Sequence, residues 1–183
     1  MRALLAVSAV LVLASTACPK NPNVPVPPPV PAPETEPVPK APRGSPEGPV
    51  GDLLEAYEGA RTKLAADDFT GAQPFAAAMG AASRVAAEHA VTSKPTFDAV
   101  ALGTDKMVAA KDIAEMRLAF GDVSKNVITL LVADPELRTG RHLMLCPMAK
   151  GYQKWVQVTP KLTNPYWGKE MLDCGEELKA WSI

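Results

Sequence analysis

From Gly51 onward, apolar positions recur at the spacing of an α-helix. Leu53, Leu54, Tyr57, Ala60, Leu64 and Ala65 fall on one face of a first helix, with Asp52 as its N-cap and Glu55 as the reciprocal partner. Asp67-Asp68 stands where that helix should stop. Thr70 and Gln73 repeat the capping spacing, which places Pro74 in the first turn of a second, alanine-rich helix ending near His89. Thr96 opens a third helix through Phe97, Val100, Ala101 and Met107. The clearest stripe is Ile113, Met116, Phe120, Val123, Val127, Leu130 and Leu131, a helix from Asp112 to Ala133. Pro135 and Gly140 end the pattern. Short connections between helices imply antiparallel neighbours. The expected class is therefore all-α, a four-helix antiparallel bundle closed by a small irregular or β C-terminal subdomain over residues 51–183. Met79, Met107 and Met116 lie on the apolar stripes and read as core filler.

Ahead of Gly51 the periodicity is absent. Thirteen of the 19 prolines lie between Pro19 and Pro49, so residues 18–50 read as a disordered, proline-rich spacer rather than as part of a fold. Residues 1–17 have the make-up of an export signal: Arg2, an apolar run from Ala3 to Ala14, then the small residues Ser15-Thr16-Ala17. The apolar run is shorter than the roughly 20 residues of a membrane-spanning helix. Cys18 follows the cleavage site directly, the arrangement of a bacterial lipoprotein signal, although Ser15 occupies a position where such signals prefer Leu. Acylated at Cys18, the protein would be anchored to a membrane through its lipid. With Pro19 and no Asp after the cysteine, similarity to other lipoproteins favours the outer membrane, facing the periplasm. Cut as a plain secretory signal, it would leave a free thiol and a periplasmic protein.

Charge and composition narrow the function. Nineteen Lys and Arg against 20 Asp and Glu give a net charge of -1 in 183 residues, which lacks the basic excess of a nucleic-acid binder. Two histidines cannot form a three-His zinc centre. There is no G-x-S-x-G, phosphate loop or G-x-G-x-x-G, and Cys146 with His142 is the one nucleophile–base pair on offer. The chain does not read as an enzyme.

The chemistry gathers after Gly140. If residues 141–148 are extended, period two places His142, Met144, Cys146 and Met148 on one face. Met171 and Cys174 are three apart and share a face if that stretch is helical. Five of the ten aromatic residues lie between Tyr152 and Trp181, with a turn at Asn164-Pro165-Tyr166-Trp167-Gly168.

Lys111-Asp112-Ile113 with Arg117, Phe120 and Ser124, followed by Cys146-Pro147-Met148-Ala149, Trp155 with Gln157, Asn164-Pro165-Tyr166 with Gly168, and Met171-Leu172-Asp173-Cys174-Gly175, carry a resemblance. Together they resemble an uncharacterised bacterial domain family of exported proteins, a domain also appended to periplasmic adaptor subunits of copper and silver efflux pumps. The resemblance covers about residues 51–178, and its specific part is the C-terminal run. The chain departs from the pattern in a short spacer between Met148 and Trp155 and in Val156, where Leu is commoner. The resemblance implies a helical bundle with a small C-terminal subdomain and a link to heavy-metal handling, with a heavy-metal efflux or envelope protein as partner.

Thiolate and thioether donors suit Cu(I), whereas hard cations take carboxylates and carbonyls. Carried onto the matching positions, the candidate metal set is Cys146, Met148, Met171 and Cys174, with His142 and Met144 as auxiliaries. The competing expectation is a Cys146–Cys174 disulfide, since these two remain once Cys18 is assigned to the anchor and the compartment is oxidising. It would staple an irregular tail to the bundle and leave an envelope interaction domain with no metal, docking through Trp155, Tyr166 and Trp167.

Overall fold

The computed structural model describes residues 46–183. The expected signal, Cys18 and most of the spacer lie outside the described residues. The chain forms four helices, α1 Pro49–Ala65, α2 Phe69–His89, α3 Lys94–Ala109 and α4 Ile113–Ala133, and then a small sheet. Its strands are β1 His142–Leu145, β2 Lys154–Gln157 and β3 Glu176–Leu178.

The helix ends show which capping signals the chain uses. α4 starts one residue after the expected Asp112, which caps it: the Asp112 side chain accepts the Glu115 N–H at 2.8 Å, and Glu115 Oε2 accepts the Lys111 N–H at 2.9 Å. The other three starts differ. α1 begins at Pro49, behind Gly48 with φ 77°, so Asp52 lies in the first turn and is not the cap. Proline at the head of a helix loses no hydrogen bond there, which explains the earlier start. α2 is capped by Asp68, whose Oδ1 accepts the Gly71 N–H at 2.8 Å. Pro74 is therefore the sixth residue of the helix, not a first-turn residue, and its missing N–H leaves the Thr70 carbonyl without a helical donor. α3 begins at Lys94, two residues before Thr96.

Each helix packs against the next in sequence, and α1 also reaches α4. Small residues permit the close approaches. A methyl group on Gly103 of α3 would stand 2.7 Å from Val123 Cγ2 of α4. The Tyr57 and Phe120 rings stack at 5.1 Å, and the Tyr57 hydroxyl meets Ser124 Oγ at 2.7 Å, so α1 and α4 share one core. Met79, Met107 and Met116 are fully buried in it.

The sheet is antiparallel in the order β2–β1–β3, with Met144 opposite Trp155 on one side and opposite Glu177 on the other. Successive strand residues point to opposite faces, yet Leu143 and Met144 are both buried, so the central strand is covered on both sides. The outer edge of β2 does not stay open. The Val156 N–H donates to the Tyr57 hydroxyl at 3.2 Å, and the Tyr166 hydroxyl donates to the Lys154 carbonyl at 2.6 Å. Two phenols thus satisfy backbone groups that an edge strand would otherwise present to another chain. Trp155 is fully buried and Tyr166 is 7 % exposed, and their rings meet edge-on at 5.7 Å. The docking surface expected of Trp155, Tyr166 and Trp167 is therefore not formed: two of the three aromatics are core, because their polar tips find partners inside.

No helix among the described residues is long and apolar enough to cross a membrane.

Candidate functional site

Two thiols meet where the sheet joins the C-terminal turn. Cys146 follows β1 directly and is fully buried; Cys174 precedes β3 and is partly exposed. Their sulfurs lie 3.3 Å apart, in hydrogen-bonding contact and beyond the roughly 2.05 Å of a disulfide bond. Both cysteines are free. The hydrogen bond to Cys146 raises the Cys174 thiol above its ordinary value, with desolvation and the charge of Cys146 adding to it.

The backbone holds each thiol in a turn. The Cys146 N–H donates to the Gln153 carbonyl, and its own carbonyl accepts the Ala149 N–H, both at 3.0 Å. On the other side the Cys174 N–H donates to the Met171 carbonyl at 3.1 Å. Asn164 ties that second turn together. Its backbone N–H donates to the Leu172 carbonyl and its Nδ2 to the Cys174 carbonyl, each at 2.8 Å, while its Oδ1 accepts the Tyr166 N–H at 2.8 Å. Asn164 is fully buried. In sequence it reads as a turn former; the structure makes it the bracket of the thiol segment.

The other expected donors divide. Met171 ends a short 3-10 turn, Gly168–Met171, in the segment leading into Cys174. Met148 is not on the face of a strand: β1 stops at Leu145, and Met148 stands in the following turn, 57 % exposed. Pro147 has no N–H to continue a ladder, and the Cys146–Ala149 turn begins there. Met144 is in the core at 1 % exposure. His142 turns to β3, its Nδ1 3.0 Å from Glu177 Oε1, and with Lys179 holds that carboxyl below its ordinary value. His142 is therefore not paired with Cys146, whose side chain faces Cys174. Among the described residues no three of the His, Cys, Asp and Glu side chains converge as a metal group. Sulfur is what this site offers, which suits a soft cation better than zinc.

Charged groups to which the sequence assigned no part in the site hold the cap in place. Arg61 of α1 is 2 % exposed, binds both carboxylate oxygens of Glu58 at 2.9 and 2.7 Å, and donates to Thr163 Oγ1 at 2.7 Å and to its carbonyl at 3.0 Å. Thr163 directly precedes Asn164. Asp67, exposed where α1 stops as expected, also receives Arg117 Nη2 at 2.6 Å and the Lys169 N–H at 3.1 Å. The signal for both was weak. Burial of Arg61 follows from its place on the face of Leu53, Tyr57 and Leu64, and Asp67 carries a left-handed backbone, φ 62°, where glycine would be relaxed. A hollow of about 240 Å³ lies elsewhere, lined by Arg117, Leu118, Lys150, Trp167 and Glu170 and by neither cysteine.

No protein-family model, curated protein or solved structure matches the chain.

Proposed function

We propose that the chain is an exported lipoprotein, anchored through Cys18, whose domain binds a soft metal ion, Cu(I) first, for sequestration or delivery in the cell envelope. It acts by binding rather than catalysis. In this reading the helices are an antiparallel four-helix bundle, a scaffold that fixes the C-terminal cap. The observation that carries it is the pair of free sulfurs 3.3 Å apart, one buried and one reachable from solvent, with a methionine in the turn on either side. Cys146 and Cys174 would supply the two thiolates. Met171 lies three residues before Cys174, and Met148, two residues after Cys146 and exposed on its turn, is free to swing toward an ion. The likeness of the C-P-M-A and M-L-x-C-G runs to the domain on copper and silver efflux adaptors supports the same chemistry and a heavy-metal efflux or envelope protein as partner.

A second reading rests on the same short separation. Oxidation would need only about 1.3 Å of approach to bond the sulfurs, and the protein would then be a stapled interaction domain without metal. Anaerobic Cu(I) titration of the reduced full chain, competed against a chelator of known affinity, separates the two. Tight stoichiometric uptake, abolished in Cys146→Ser and weakened in Met171→Leu, is expected of the metal site. Failure to compete with the chelator would leave the staple.

A further inference from the structure

The geometry points to Asp67 and Arg117 as positioning residues for the thiol pair, a clamp through which the corner between α1 and α2 sets where Cys174 stands against Cys146. The inference rests on the paired thiols common to both readings, and not on the metal.

Asp67 occupies a position whose backbone asks for glycine, φ 62°. Asp is among the few other residues that adopt it, and this one also makes two long-range contacts. Oδ2 accepts the Lys169 N–H at 3.1 Å, 102 residues away, at the head of the 3-10 turn that ends at Met171, three residues before Cys174. Oδ1 accepts Arg117 Nη2 at 2.6 Å. Arg117 comes from α4, is 15 % exposed, and spends its remaining bonds on the same junction: Nε donates to the Pro165 carbonyl at 2.9 Å and Nη2 to the Leu64 carbonyl at 2.8 Å. Residues 165 and 169 are thereby pinned to α4 and to the α1–α2 corner. Between them Gly168 has φ 59°, and a Cβ there would collide with Asp67 Oδ1 and Arg117 Nη2. The approach is as close as glycine allows. Downstream, the Asn164 bracket and the bond from the Cys174 N–H to the Met171 carbonyl pass that placement on to the sulfur. Cys146 has its own anchors, the end of β1 and the turn that follows it, and bonds to neither clamp residue.

The test reads how strongly the two thiols are held together, with no metal present. The reduced full chain is equilibrated anaerobically with glutathione and its disulfide. Forming the Cys146–Cys174 bond passes two electrons to oxidised glutathione, which leaves as two reduced molecules, so the equilibrium ratio gives the effective concentration of one thiol at the other. Asp67→Gly removes the carboxylate while relaxing the backbone, and should lower that effective concentration by about tenfold. Asp67→Asn, which keeps one acceptor oxygen and tolerates the left-handed conformation, should recover part of it. Arg117→Gln should act in the same direction, and less than additively with Asp67→Gly, since both break one contact. A merely structural role would lower the melting temperature of the reduced protein and leave the thiol equilibrium alone. An effective concentration unchanged in folded Asp67→Gly overturns the proposal, and that variant decides alone should Arg117→Gln fail to fold. Because copper takes no part, a failed Cu(I) titration and a failed clamp are separate results.

Discussion

Arg61 and Glu58 are 2 % and 4 % exposed, and neither charge has water to return to. Removing one partner from a buried pair leaves the other uncompensated, at a cost of about 3–5 kcal/mol. Arg61→Met should therefore destabilise the domain by about that amount in urea unfolding, while Glu58→Leu combined with Arg61→Met should recover much of the loss. At Asp67, burial acts to raise the carboxyl, but the hydrogen bonds from Arg117 and the Lys169 N–H and the charges of Arg117 and Lys169 outweigh it and hold the group below its ordinary 3.8. The native state thus favours the ionised form. The stability this contributes is present above the ordinary value and drains away as pH falls through the lowered one. Melting temperatures followed into acid should fall less steeply for Asp67→Asn than for the wild type; equal slopes would assign the acid loss to other carboxyls, Asp68 among them. At the thiols the shift is upward instead, yet the dependence on pH runs the same way. Both must lose a proton to bind a metal, and Cys174 is raised by its neighbour, so Cu(I) affinity should climb as pH rises through the thiol range.

At the scale of elements, periodicity carried most of what could be known beforehand. The stripe of α4 is long and regular, so its limits were legible to within one residue. α1, α2 and α3 were legible as helices but not in their starts, because Pro49, Asp68 and Ser93 compete with equally good signals a few residues on. The sheet was harder. A four-residue strand flanked by turns has too few positions for alternation to show, and Met148 was expected on a strand that had already ended. Pairing of Cys146 with Cys174 was legible from composition; Asn164, Arg61 and Asp67 as its supports were not, since their partners are 10, 102 and 102 residues away. Two element contacts are open to direct test. Gly103→Ala gains helix propensity of about 1 kcal/mol but drives a methyl into Val123, and the overpacking should win, with a net loss of about 1 kcal/mol in chemical denaturation. Tyr57→Phe leaves the Val156 N–H buried without an acceptor and should cost about 1–3 kcal/mol, with faster amide exchange along β2.

Across the whole molecule the helices and the sheet divide the work. Four sequential helices make mostly local contacts, whereas the cap is held by bonds that join residues far apart in sequence. The donors at the thiol pair belong to segments that no single element contains. Central strand β1 needs β3 as its second neighbour, and β3 is the last strand of the chain. Synthesis proceeds from the N-terminus, so the helices can assemble while the cap is still incomplete. During that interval Cys146 has been delivered and Cys174 has not. The site therefore has a birth order: its first sulfur waits as a lone thiol, open to wrong partners, until residue 174 arrives to meet it. A chain stopped short of Cys174 would keep its helices and expose an unpaired thiol, a difference a quality-control protease or thiol oxidant could read. The meeting of the two sulfurs is thus a record that synthesis has run past residue 174.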